Sequence, residues 1–421
     1  FSGITTISAG TLEYQGGTFA SAVHSIDSGA VMEFDVAGGI YNASATTING
    51  AGTLRKSGAG ELIWPATSAT FALDPGALID VQEGTFTAGS HANENWTANA
   101  SDLHVAAGAT FTTVEANVRV DKLTGAGIVS TGYSGAGYQN LTVGVADGSS
   151  TFNGIIANAF APGNLVKAGS GSITLAGLNT YTGDTTVSGG TLELADNAQL
   201  SFVVADGDSN TVGGTGTALI RGDFTIDTSA VTGTAGGIWT LVNLNSLDPA
   251  SDIDGATFSV IGFDDSDDDG VWTMTDAKGD WSFDESTGEL TLDLADDYLT
   301  WGAAYSLGAG TEAGDADNDG LTNEEEYAFG LIPNEGASVN PIAVPLDKAT
   351  GTFSYTRRDS SLTDLTYSVW FSEDLTSWTE DTGAVEGAPV LSGEVETVPV
   401  TLSALAGDPL PRKLFIQVRA N

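Results

Sequence analysis

The chain has 421 residues, 55 of them acidic and 13 basic, for a formal charge of −42; 55 residues are glycine and none is cysteine. Such a balance gives no general attraction for nucleic acid or anionic lipid, and the missing thiols exclude disulfide staples, thiolate catalysis and Cys-ligated metals. Only 16% of residues are charged, so the imbalance reflects scarce Lys and Arg more than abundant acids. A hydrophobic fraction of 41% supports packed cores, and the length allows two or more domains. No apolar run approaches the ~20 residues of a membrane helix. No basic segment followed by an apolar one opens the chain, so the expectation is an exported protein whose signal has been removed.

The N-terminal half repeats itself. FSGITTISAGTLEY (1–14) and YTGDTTVSGGTLEL (181–194) are identical at eight of fourteen positions, among them Gly3/Gly183, Gly10/Gly190, Leu12/Leu192 and Glu13/Glu193. A third copy reads VQEGTFTAG at 81–89. The preceding half-unit also recurs, as LRKSGAGELIW (54–64) and LVKAGSGSITL (165–175). Apolar residues alternate around Gly turns, as in Thr191-Leu192-Glu193-Leu194 after Gly189-Gly190, which predicts short half-buried strands. Such units cannot bury an apolar face alone, and stacking them predicts a β-solenoid. At ~4.8 Å per coil and roughly 20–25 residues per coil, the first 300 residues would span roughly 60–70 Å.

The fullest copy, LVKAGSGSITLAGLNTYTGDTTVSGGTLEL at 165–194, resembles the autotransporter-associated β-strand repeat, also called the passenger-associated transport repeat. The resemblance covers about residues 1–200. It implies a right-handed parallel β-helix at a bacterial surface or secreted from it. The copy at 49–89 departs from the pattern, because Pro65 to Pro75 replaces the Asn-x-Tyr-Thr-Gly turn. Phe1 aligns with Tyr181, mid-repeat, which leaves two expectations: an upstream segment has been lost, or another subunit completes the first coil.

Residues 200–300 lose the repeat but stay β-like, and Trp239, Trp272 and Trp281 are expected to cover the last coil. The expected domains are therefore a solenoid over 1–300, a calcium-loop linker with a short helix over 301–334, and a small β-sandwich over 335–421. Candidate strands of the sandwich lie at 352–358, 365–371, 396–402 and 413–419. The fold class is all-β.

The sharpest local signal is DADNDGLTNEEE at 315–326. Asp315, Asp317 and Asp319 fall at loop positions 1, 3 and 5, and Gly320 at position 6, where the chain turns. Leu321 would offer its carbonyl at position 7, with Asn323 at position 9 and Glu326 at position 12. A hard cation needs this crowd of oxygens, and the spacing predicts a structural Ca2+ site leading into a helix. The segment resembles the single calcium loops of dockerins and thrombospondin type 3 repeats, although glycines replace the incoming helix of an EF-hand. A second cluster, Asp265, Asp267 and Asp269 with Asp276 twelve positions in, runs into a strand-like segment and is the weaker candidate.

Nothing in the sequence composes a catalytic constellation, and the reading is non-enzymatic. His24, His91 and His104 lie in different contexts and read as ordinary coil or surface residues. Arg119, Lys122 and Arg221 read as surface ion pairs. Tyr355, Tyr367, Trp370 and Trp378 read as sandwich core, with a carbohydrate-binding face as the alternative. Arg357-Arg358 and Arg412-Lys413 are basic spots able to meet the acidic solenoid of a neighbour. The expected function is an extracellular structural protein, a homopolymer joined head to tail into a filament, sheath or surface layer. The alternatives are a monomeric adhesin with a glycan or matrix ligand and, last, a polysaccharide-active β-helix enzyme.

Overall fold

The computed structural model describes residues 3–16, 21–43, 46–64, 69–89, 95–134, 137–232, 236–253, 257–276, 278–294, 297–308, 311–338, 340–363, 365–403 and 413–420. The chain divides into two compact units: Phe1–Thr232 with Gly237–Asp276 and Asp280–Asp293, and Leu294–Asn421 with Gly233–Gly236 and Ala277–Gly279. The segment expected as a calcium-loop linker thus lies in the same unit as the sheets that follow it. Among the described residues, no helix is long and apolar enough to cross a membrane.

The first unit is a parallel β-solenoid of about eight turns. Eleven strands, from Thr11–Tyr14 to Asp252–Ile253, stack into its longest sheet. In register down that sheet lie Leu12, Met32, Leu54, Ile79, Leu103 and Leu123, and the last five are fully buried. A six-stranded sheet stacks Tyr41, Leu62, Phe86, Phe111, Val129 and Ile156 in the same way. Alternation with period two therefore sends one residue in two to a continuous core, each large apolar side chain contributing about 1.5–3 kcal/mol. Aromatic rings tie neighbouring coils: Phe71 stacks on Trp96 at 4.0 Å and Phe86 on Phe111 at 5.3 Å.

The repeat seen in the sequence is a corner, not a coil position. Leu54–Lys56 and Glu61–Ile63 turn from the eleven-stranded sheet into the six-stranded one, whereas their sequence counterparts at 165–175 turn from a five-stranded sheet into the eleven-stranded one. Both corners carry the same device. Lys56 points inward, fully buried, and its Nζ donates to the carbonyls of Ser57 (2.8 Å), Gly58 (2.6 Å) and, one coil on, Glu83 (3.1 Å). Lys167 does the same with Ala168 (2.5 Å), Gly169 (3.2 Å) and Gly189 (3.1 Å). Burial lowers the Lys56 pKa to about 8 against the opposing pull of Asp35 and Glu83. Each lysine thus joins the carbonyls of its own turn to a carbonyl of the next coil.

Antiparallel structure follows the last coil. Gly237–Thr240 pairs with Glu289–Leu294, in a sheet that also holds Gly279–Asp284 and Val271–Asp276. Phe224 of the solenoid meets Phe258 at 4.8 Å and Phe283 at 5.6 Å, and Trp239 lies 5.6 Å from Trp281. Trp239 and Trp281 are buried and Trp272 is half-buried. Aromatics do cover the final coil, as expected.

The second unit opens with helix α1 (Asp297–Ala304) and, after a loop, helix α2 (Asn323–Phe329). Two antiparallel sheets follow. One holds Ile342–Asp347, Thr352–Arg358, Val395–Thr401 and Val385–Glu386; the other holds Thr379–Glu380, Tyr367–Ser372 and Phe415–Ala420. All four predicted strands are present, displaced by two residues or fewer. Phe353, Tyr355, Val398 and Val400 of the first sheet share one core with Val369 and Val418 of the second and with Ala328, Phe329 and Leu331.

The expectations about basic and aromatic residues are corrected in part. Arg357 is paired inside its own unit with Glu396 (2.8 Å) and Glu386 (3.0 Å), and Arg358 with Glu394 (2.8 Å). Neither arginine is a free basic spot for a neighbour; Arg412 lies outside the described residues. Tyr355 and Tyr367 join the core, but Trp370 is only half-buried and stacks under Arg419 at 4.0 Å. Lys122 and Arg221 make the expected ion pairs, with Asp102 and Asp252. Among the described residues Arg119 makes no such pair, and its Nε is buried without a hydrogen-bond partner. His24 is a core residue, fully buried between Tyr14 and Thr46, and burial lowers its pKa to about 4. His104 bonds Thr124, and His91 lies outside the described residues.

Coil stacking is tightest at Gly177, where an added Cβ would overlap the Gly154 carbonyl oxygen of the preceding coil. Gly177→Ala should destabilise the solenoid by about 1–3 kcal/mol in equilibrium urea unfolding. Gly38→Ala, which meets nothing within 4 Å, should change it by no more than about 0.5 kcal/mol.

Candidate metal centre

The loop before α2 is built by its own acids. Asp315 Oδ1 accepts the N–H groups of Asn318 (2.7 Å) and Asp319 (3.2 Å), and its Oδ2 accepts that of Gly320 (3.0 Å). Asp317 Oδ1 accepts Asp319 N–H (3.1 Å), and Asp319 Oδ1 accepts Leu321 N–H (2.8 Å). The turn needs Asn318 at φ 63° and Gly320 at φ 100°, left-handed positions that Asn tolerates and Gly occupies freely. These turns draw one carboxylate oxygen from each of Asp315, Asp317 and Asp319 within 4.8 Å of one another.

Helix α2 starts on a capping box: Thr322 Oγ1 accepts Glu325 N–H (3.2 Å) while Glu325 Oε2 accepts Thr322 N–H (2.9 Å). Gly330, left-handed at φ 65°, ends it. The T-x-x-E signature of this cap was readable at 322–325. The box commits Glu325 to the helix end and leaves Glu326 to turn inward. Glu326 is fully buried, and neither of its carboxylate oxygens has a hydrogen-bond partner. Asp317 Oδ2 and Asp319 Oδ2 are buried and unpartnered as well. Burial raises the Glu326 pKa to about 7, with Asp317, Asp319, Asp315 and Glu325 adding repulsion.

Asn323 takes another role. Its Oδ1 accepts Ala316 N–H (3.2 Å), its Nδ2 donates to Thr311 O (2.7 Å), and its backbone N–H donates to Gly314 O (2.7 Å). It clamps the incoming arm of the loop to the helix start. The structure thus brings Asp315, Asp317 and Asp319 together, sets Glu326 beside them, and uses Asn323 as scaffold. Unpartnered buried carboxylate oxygens are costly, and an oxygen-only donor set fits a hard cation that would satisfy them.

The loop at 265–271 shares part of this geometry. Asp265 accepts the N–H groups of Asp269 (3.1 Å) and Gly270 (3.3 Å), Asp269 accepts Val271 N–H (2.9 Å), and the three acids converge within 4.8 Å. The twelfth position differs as well: Asp276 accepts the indole N–H of Trp281 (3.1 Å).

The profile of the passenger-associated-transport-repeat family matches residues 1–13 and 165–194, the second stretch beginning with the corner at 165–175 described above. A relative among curated proteins is the adhesin BmaC autotransporter of Brucella suis biovar 1 (strain 1330). It is 30% identical over 251 residues, covering 54% of this chain and 6% of that protein. The chain therefore spans a small fraction of the relative it matches. No solved structure matches.

Without a cation the folded state holds the Glu326 proton more tightly than the unfolded chain, whose carboxyl titrates near 4.5. In chelator, stability of the second unit should fall as pH rises from about 4.5 to about 7. Glu326→Gln should flatten that slope in denaturation curves collected across the range.

Proposed function

We propose that this chain acts as a non-catalytic β-solenoid at a bacterial surface or secreted from it, serving in adhesion, with a calcium ion held structurally at residues 315–326. The observation that carries the adhesive reading is the solenoid whose corners match a passenger repeat, in a chain alignable to a protein named as an adhesin. A stacked solenoid presents a long flank of outward side chains from rigid strands, a suitable display surface for a glycan or matrix ligand. Two of the three histidines are engaged in packing and hydrogen bonding along the coils, which supports a display role over chemistry.

The calcium reading rests on four buried carboxylate oxygens without partners at one loop. Asp315, Asp317, Asp319 and Glu326 would supply carboxylates and Leu321 its carbonyl, and the ion would act as structural mortar. Net charge favours the same reading, since a chain at −42 gains from bound divalent cations.

Solid-phase binding to immobilised matrix proteins and glycans, together with sedimentation velocity across concentration, tests the adhesive role. Saturable binding by a monomer is expected. Ordered, concentration-dependent assembly without ligand binding would replace adhesion with the filament or surface-layer reading. Titration calorimetry should show calcium binding that Asp317→Asn weakens at least tenfold.

A further inference from the structure

Helix α2 has seven residues, too few to persist on local hydrogen bonding alone. Its side chains feed two separate buried clusters. Tyr327 packs on Tyr298 (5.5 Å) and Trp301 (5.4 Å) of α1, with the Arg358 guanidinium 5.4 Å over its ring. Ala328 and Phe329 enter the core of the two sheets, where Phe329 meets Tyr367 at 5.9 Å and the Tyr367 hydroxyl donates to the Ala328 carbonyl (2.7 Å). Glu326 immediately precedes these anchors. Leu321, at loop position 7, packs against the same core.

Building on the calcium reading above, we infer that cation binding at 315–326 is the folding switch of the whole second unit. The cation fastens α2, α2 joins the two clusters, and the solenoid keeps its order without it. Without a cation the folded unit must hold a fully buried, unpartnered carboxylate beside three more acids. Letting α2 leave relieves that burden, and it removes Tyr327 from one cluster and Phe329 from the other in a single event. A cation that binds only the folded loop reverses this by mass action, shifting the opening equilibrium about a hundredfold at one hundred times its dissociation constant. The solenoid has no stake in the exchange, because its coils are held by their own stacked core and backbone ladder.

Hydrogen exchange on the full chain, in calcium and in chelator, tests this. Chelation should speed exchange at least tenfold in Thr352–Arg358, Tyr367–Ser372, Val395–Thr401 and Phe415–Ala420. Solenoid strands such as Ser172–Leu175 and Thr191–Leu194 should change less than twofold. Glu326→Gln removes the buried charge while keeping its shape, so in chelator its sheets should exchange more slowly than those of the parent protein. Loss of protection confined to 311–331, or spread equally into the solenoid, would overturn the inference while leaving the calcium site intact. So would Glu326→Gln exchanging like the parent in chelator. Absence of any calcium heat in calorimetry would instead remove the site itself, and the inference with it.

Discussion

Every feature of the solenoid answers one constraint: a coil can bury its apolar side only against the coil above and below it. Register follows, because a slip by one residue would turn Leu54, Ile79 and Leu103 outward together. The close approach of backbones follows too, and with it the glycines at positions such as 154 and 177 where a side chain would strike the neighbouring carbonyl. Stacking also crowds turn carbonyls together at the corners. Lys56 and Lys167 resolve that crowding by reaching up from the core, each linking its own turn to the next. Where the stack ends the constraint needs another answer, and antiparallel strands carrying Trp239, Trp281 and Phe283 provide it.

The second unit solves a different problem. Its two sheets are small, and their shared core is completed by a two-turn helix that brings its own electrostatic burden. Three acids build the loop by accepting backbone N–H groups, which uses both oxygens of Asp315 and one each of Asp317 and Asp319 and leaves Asp317 Oδ2 and Asp319 Oδ2 buried without partners. Such an arrangement is unfavourable as it stands and favourable around a cation. At 265–271 a similar turn forms, but its twelfth residue, Asp276, bonds a Trp indole. The loop at 315–326 differs in its buried, unpartnered Glu326 and in the buried, unpartnered Oδ2 atoms of Asp317 and Asp319.

Much of this was legible in the sequence, for physical reasons. Period-two alternation between Gly turns dictates stacked strands wherever it occurs, so the solenoid and the strand at 352–358 could be read directly. The spacing of Asp315, Asp317, Asp319 and Gly320 encodes a turn, and the turn forms. Other features were out of reach because they depend on what lies one coil away. A corner repeat looks like a coil repeat until the sheets are seen, and copies at 54–64 and 165–175 turned out to serve different corners. His24 and the two lysines sit at inward positions that polarity alone assigns to the surface. Arg357 and Arg358 looked available to a partner, but their acids lie about 30–40 residues away in sequence on paired strands. Trp370 shares a strand with core residues yet faces the other way, into the guanidinium of Arg419. Asn323 has a ligand's spacing and a scaffold's bonds.

The most direct test of this account is a crystal structure of the protein grown with calcium, with anomalous scattering used to locate the ion. The account predicts one peak about 2.3–2.6 Å from oxygens of Asp315, Asp317, Asp319 and Glu326 and from the Leu321 carbonyl, with Asn323 still bonded to Ala316 and Thr311. A Glu326 carboxylate hydrogen-bonded to protein or water in a loop without that peak would contradict it.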